Sequence, residues 1–216
     1  VRAGEVVGIA GIVGNGQREL LEAIVGLRKA HRGKVFIDNV EITNKGIGKA
    51  RDLGVGFIPD LPLKYGVAAD ASILENVAAL FQRNGFIVRW RAVKGVSKEI
   101  LNSYQVLAKD ERVPVKVLSG GNIMKVLVGR ELTFAKKALV AYNPTRGLDE
   151  VTSMYVRKLL KEKASKEGTA ILFASEDLDE VLQVSDKVLV MNSGEIVGPF
   201  DPERASRDEI ERAMVM

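Results

Sequence analysis

The run Gly11-Ile12-Val13-Gly14-Asn15-Gly16-Gln17-Arg18 lies between an apolar stretch, Glu5 to Ala10, and a helix-like stretch from Arg18 to Leu27. Gly11, Gly14 and Gly16, with Asn15 between them, let successive backbone N–H groups curl around an anion at a helix N-terminus. The spacing is that of a phosphate-binding loop, in which a lysine reaches the β- and γ-phosphates and a neighbouring hydroxyl binds Mg²⁺. Gln17 takes the lysine's place and Arg18 the hydroxyl's. Gln17 still donates a hydrogen bond but brings no charge, and Arg18 is a cation where a cation should be coordinated. Taken alone, an ordinary strand-to-helix turn explains such a loop equally well.

A second glycine corner, Leu118-Ser119-Gly120-Gly121-Asn122, precedes Ile123, Met124, Leu127, Val128 and Leu132, which recur at helical spacing. Exposed N–H groups at a positive helix end, beside the Ser119 hydroxyl, form an anion-binding corner. With glycine near 7% of residues, LSGG arises by chance in roughly 1% of chains this long, so a plain loop is the weaker explanation.

Here the sequence resembles the ABC transporter ATPase family, whose signature is LSGG at a helix start, and the family's other stations follow in order. Ala138 to Pro144 lies where the Walker B strand belongs, and Thr145-Arg146-Gly147-Leu148-Asp149 resembles the D-loop. Phe57-Ile58-Pro59-Asp60 aligns with the Q-loop, and Leu172 to Glu180 with the switch-histidine segment. The resemblance implies an ATP-binding domain that works with transmembrane permease subunits. It also implies that a residue is lost at each of several stations. Tyr142 replaces the Walker B aspartate and Asn143 the catalytic glutamate, and an amide cannot accept the proton of an attacking water. Asp60 stands for the Q-loop glutamine, and Glu176 stands for the switch histidine, where a carboxylate would repel the γ-phosphate. With Gln17 and Arg18, these positions describe a cis site without intact catalytic residues and without a metal site of its own. The signature half is kept. By the resemblance, Ser119, Gly120, Gly121 and Asn122 close over ATP held by a competent partner domain that supplies Mg²⁺, and Asp149 shapes the seam between the two. No tightly bound nucleotide is expected on this chain alone.

GNGQREL, LSGGN, NPTRGLD and SEDLDE together look like the degenerate second ATPase half of tandem sugar or nucleoside importers. That likeness places the competent partner on the same full-length chain. It also implies that strands normally preceding Val1, one bearing an aromatic that stacks on adenine, are missing.

The elements that must position these residues are read from hydrophobic periodicity. Strands are expected at Glu5 to Ala10, Gly33 to Asp38, Val55 to Ile58, Ala138 to Tyr142, Ala170 to Ala174 and Lys187 to Met191. Asp60 to Asp70 reads as a loop. Ser72 and Glu75 have capping-box spacing and predict a helix through Phe81, and a second helix is expected from Ser97 to Lys109. Glu150 to Glu167 reads as a helix with Val151, Met154, Tyr155, Leu159 and Leu160 on its apolar stripe and Gly168 as its cap. Strands alternating with helices predict an α/β, P-loop NTPase type of fold: a mostly parallel sheet flanked by helices, with ligands beyond the carboxyl ends of the strands. Residues 1–216 are expected to form one domain with a helical insert at about 70–117.

With 216 residues, 46% of them hydrophobic, the chain can bury a substantial core. Its longest apolar runs fall far short of the roughly 20 residues of a membrane-spanning helix, and Val1-Arg2-Ala3-Gly4-Glu5 shows no secretory signal. A cytoplasmic location, peripheral on the inner face of the membrane, is the expectation. There is no cysteine, and His31, the single histidine, reads as a surface residue. Trp90 reads as a packing residue. The net charge of +4 permits a soluble module acting on nucleic acid or ribosomes. No basic stretch interleaved with aromatics supports that alternative, and nucleic acid is not an expected partner. A scaffold binding no nucleotide is the third reading.

Overall fold

The computed structural model describes residues 1–81 and 88–215. Its strands are β1 (Val6–Ala10), β2 (Phe36–Ile37), β3 (Val40–Glu41), β4 (Val55–Ile58), β5 (Ala138–Tyr142), β6 (Ala170–Ser175), β7 (Lys187–Asn192) and β8 (Glu195–Phe200). Its helices are α1 (Gln17–Val25), α2 (Gly46–Asp52), α3 (Ile73–Phe81), α4 (Trp90–Ser103), α5 (Gly120–Phe134), α6 (Glu150–Glu167), α7 (Leu178–Val184) and α8 (Arg207–Val215). One sheet runs in the order β4-β5-β6-β1-β7-β8, parallel throughout except for the β7–β8 pair.

Helices cover both faces, and the sidedness can be read along β5. Leu139 and Ala141 pack in the cluster holding Leu127 of α5, Leu160 of α6 and Val181 of α7. Val140 and Tyr142 point the other way, into the cluster with Leu21 and Val25 of α1. Successive side chains of a strand alternate between faces, so the continuous apolar run Ala138 to Tyr142 serves two cores at once. A third cluster joins Val77 of α3 to Val93 and Ile100 of α4.

The elements start and stop for local reasons. Ser72 and Glu75 close a reciprocal cap on α3: Glu75 N–H donates to Ser72 Oγ at 3.2 Å and Ser72 N–H donates to Glu75 Oε2 at 2.8 Å. Gly168, at φ +70°, ends α6 in the left-handed conformation that a side chain disfavours.

Several expectations need correction. α4 begins at Trp90 and ends at Ser103, earlier than predicted at both ends; Gln105 has φ +52°, which breaks the helix before Lys109. The Gly33 to Asp38 strand shrinks to two residues paired with β3 outside the main sheet, because Asp38 and Asn39, at φ +46° and +66°, turn the chain back. Within the expected loop from Asp60 to Asp70, Pro62–Gly66 forms a π-helical turn. On α6 Leu160 is buried and Leu159 packs against the core as expected, but Val151 and Met154 are 79% and 59% exposed, and Thr152, Val156 and Ala164 share the buried face with Leu160. Trp90 is half exposed rather than packed. His31 is exposed, and none of the helices among the described residues is long and apolar enough to cross a membrane.

Candidate nucleotide site

Parallel register gathers the strand ends. Ala10 pairs with Ser175, Tyr142 with Ala174, and Ile58 with Ala141. The residues that follow, Gly11 to Arg18, Glu176, Asn143 and Asp60, therefore emerge along one edge of the sheet, where parallel α/β proteins bind ligands.

Gly14 and Gly16 adopt φ +92° and +107°, which supplies the curl of the loop. Asn15 anchors the loop to the distant β7–β8 turn. Its Nδ2 donates to the Met191 carbonyl at 3.1 Å, its Oδ1 accepts from Ser193 N–H at 3.2 Å, and its carbonyl accepts from Gly194 N–H at 3.0 Å. Gln17 is 2% exposed, and its Nε2 donates to the Ile12 carbonyl at 3.2 Å. A Cβ on Gly11 would lie 2.1 Å from that nitrogen, so the amide fills the loop's interior and only glycine fits beside it.

Arg18 forms an ion pair with Asp60, which is almost fully buried, and its guanidinium carbon lies 5.6 Å from the centre of the Tyr142 ring. Burial opposes the charge of Arg18, but Asp60 and Tyr142 together outweigh it and hold the guanidinium's pKa above its usual value. Burial, aided by Glu176, pushes the Tyr142 hydroxyl above 10. Arg18, Asp60 and Tyr142 thus form one cluster, with the arginine between a carboxylate and a ring.

Asn143 and Glu176 form a second cluster. Asn143 is 3% exposed at φ +44°; its Nδ2 donates to Glu176 Oε1 at 3.0 Å and its Oδ1 accepts from Glu176 N–H at 3.1 Å. Arg146 reaches the same carboxylate oxygen at 3.4 Å. Neighbouring Glu180 is buried and accepts from the hydroxyls of Ser175 at 2.6 Å and Thr145 at 2.7 Å. Burial raises its carboxyl above the ordinary 4.5 despite those bonds. Sequence reasoning assigned no role to Arg146, Thr145, Ser175 or Glu180. The only signal available was their place within the quoted NPTRGLD and SEDLDE segments.

Ser119, Gly120 and Gly121 open α5 on another part of the surface, with Ser119 and Gly120 exposed. Ser119 Oγ accepts from Asn122 N–H at 3.4 Å and from Asn122 Nδ2 at 2.8 Å, while Asn122 Oδ1 accepts from Leu107 N–H at 2.8 Å. Asp149 caps α6 by accepting from the N–H and hydroxyl of Thr152, both at 2.9 Å, and these bonds lower its pKa. A Cβ on Gly121 would sit 3.4 Å from Thr152 Oγ1 and 3.9 Å from Asp149 Oδ2, so the signature corner and the D-loop adjoin. The predicted residues therefore fall into three groups: the loop with its Arg18 cluster, the Asn143–Glu176 pair, and the Ser119–Asp149 corner. Among the described residues, no group of three or more His, Cys, Asp or Glu could hold a metal ion.

A sheet of this order with a glycine loop at the end of β1 and LSGG at the start of α5 defines an ATP-binding cassette. The chain belongs to the ABC transporter family, which matches residues 1–146. It is 36% identical over 221 residues to the nucleoside import ATP-binding protein NupA of Lactococcus lactis, covering 100% of this chain and 43% of that protein. It is 35% identical over 216 residues to the guanosine import ATP-binding protein NupO of Bacillus subtilis, covering 97% and 42%. Against a ribose import ATP-binding protein, RbsA 1 of Rubrobacter xylanophilus, identity is 34% over 214 residues, with 97% and 43% covered. The chain thus spans less than half the length of these relatives. Among solved structures, cbiO1 from Clostridium perfringens, part of the transporter complex cbiONQ, superposes with a TM-score of 0.78 at 27% identity, covering 98% of this chain and 83% of that one. The cassette MJ0796 with ADP and Pi shares the fold at a TM-score of 0.81, 24% identity and 95% and 88% coverage.

Proposed function

We propose that this chain is the second, non-hydrolysing ATPase half of a sugar or nucleoside importer, whose Ser119 to Gly121 corner closes over ATP bound by a competent partner half. The observation that carries the reading is an asymmetry between its two phosphate-type corners. In the 11–18 loop the Gln17 amide is spent on the loop's own Ile12 carbonyl, and Arg18, paired with Asp60, takes the metal's place. These residues do not fit Mg²⁺–nucleotide in cis, and Asn143, bonded to Glu176, offers no proton acceptor. The Ser119 corner, in contrast, is exposed and capped at the start of a helix, where anions are favoured.

In this reading residues 1–216 are one nucleotide-binding domain, and the insert at about 70–117, with the segment after Asp60, faces the permease. Mg²⁺ and the catalytic carboxylate belong to the partner. That relatives named for nucleoside, guanosine and ribose import are more than twice as long supports placing both halves on one polypeptide at the inner membrane face.

The test is ATP turnover by the full-length transporter carrying Ser119→Ala or Gly120→Asp. Turnover is expected to fall by about a hundred- to a thousandfold, the usual loss when a donor to a developing anionic charge is removed. Unchanged turnover in both variants would overturn the partner-serving role. The isolated chain is expected to release no phosphate from ATP above background.

A further inference from the structure

The segment from Asp60 to Gly66 leaves the carboxyl edge of the sheet and is fastened at both ends. At the first end Asp60 is 5% exposed and is held by Arg18, whose guanidinium also lies on the Tyr142 ring. At the second end the Gly66 carbonyl accepts from Arg130 at 2.5 Å. Arg130 is 6% exposed and braced at 2.9 Å against fully buried Glu131, which also pairs with Arg51 and accepts from Phe57 N–H at 2.9 Å. Between the anchors, Val67 N–H donates to the Pro62 carbonyl at 2.8 Å, and the N–H groups of Lys64 and Tyr65 donate to Leu61 at 3.1 and 3.0 Å. Leu63 and Tyr65 are displayed outward on this turn, half exposed.

We propose that Arg18 and Arg130 are positioning residues that hold residues 60–66 as a fixed strap, with Arg18 supplying from within the chain the positive charge that a metal ion would otherwise bring to Asp60. A buried carboxylate requires a counter-charge. A metal ion can leave, taking the loop's anchor with it, whereas a side chain cannot. The substitutions at Arg18, Asp60 and Tyr142 are then one compensated set: the arginine needs the acid, the acid needs a cation, and the ring offers the guanidinium a flat face that it prefers to a rotating ammonium. The exposed turn carrying Leu63 and Tyr65 keeps one conformation whatever the 11–18 loop binds. The idea deepens the function proposed above and rests on it only for the metal's place.

Amide hydrogen exchange over residues 60–67 of the 216-residue chain, without nucleotide or partner, tests it. Arg18→Gln and Arg130→Gln are each expected to speed exchange there by about tenfold or more while β1 and β5 keep their protection. Arg18→Lys, which keeps the charge and loses the ring contact, should fall between Arg18→Gln and the unaltered chain. Should Arg18→Gln fail to fold because Asp60 is left alone, Arg18→Gln combined with Asp60→Asn removes both charges, and fast exchange is again expected. Millimolar magnesium chloride should leave the unaltered chain's exchange as it is. The proposal fails if Arg18→Gln or the neutral pair exchanges like the unaltered chain, if Arg130→Gln does, if Arg18→Lys is as fast as Arg18→Gln, or if magnesium slows exchange in the unaltered chain. A failure of the partner-serving role would leave all these outcomes unchanged.

Discussion

Ser119 shows how much a hydrogen-bond inventory can say at the scale of one residue. A hydroxyl has two acceptor sites and one proton, and Asn122 takes up both acceptor sites through its N–H and its Nδ2. The proton is left to be given outward, which suits an anionic oxygen. On the proposed function, Asn122→Ala should therefore weaken a partner's turnover less than Ser119→Ala but measurably, because the hydroxyl regains the freedom to turn; ATPase rates of the two full-length variants, compared side by side, check this. Glu180 carries a pH signature. Burial raises its carboxyl above 4.5, so folding favours the protonated form, and the stabilisation it gives is full below 4.5 and lost as pH rises through the higher folded-state value. Glu180→Gln, neutral at every pH, should gain stability relative to the unaltered chain between pH 5 and pH 8, as read by urea unfolding at the two ends. The types and spacing of Gln17, Arg18, Asp60, Tyr142, Asn143 and Glu176 were legible in the sequence. Their partnerships were not: Arg18 and Asp60 lie 42 positions apart on different elements, and only the folded chain brings them together.

Elements with strong local signals were read well, and those decided by tertiary packing were not. The apolar runs of β1, β4 and β5 and the reciprocal cap of α3 carry their own instructions. β8, by contrast, contains Gly198 and Pro199 and keeps Ile196 and Val197 nearly half exposed, which suits an edge strand and conceals it from pattern reading. On α6 the expected stripe splits, with Leu160 buried and Val151 and Met154 exposed, and only the packing partners choose which apolar side chains are covered. That choice is testable. Leu160→Ala should cost about 2–5 kcal/mol of stability, as emptying a closed core does, whereas Val151→Ala should stay within about 0.5 kcal/mol; chemical denaturation separates the two. α4 and α5 meet at Gly129, where a Cβ would lie 2.7 Å from the Tyr104 ring and 2.9 Å from Ile100 Cγ2. Gly129→Ala should push the helices apart and lower the melting temperature, although alanine is the better helix former.

For the molecule as a whole, the topology carries a consequence in time. β1 lies between β6 and β7, so both its neighbours are made long after it. The 11–18 loop waits as well, since Asn15 is held by Met191, Ser193 and Gly194. A ribosome adding 5–20 residues per second would leave Val6 to Ala10 without sheet partners for about ten to thirty seconds. During that interval an apolar strand with two open edges is exposed to whatever else is being synthesised nearby. A nascent chain stopped before Lys187 should accordingly remain open to protease around residues 1–20 and bind chaperones there, and emergence of the β7–β8 segment should close that window.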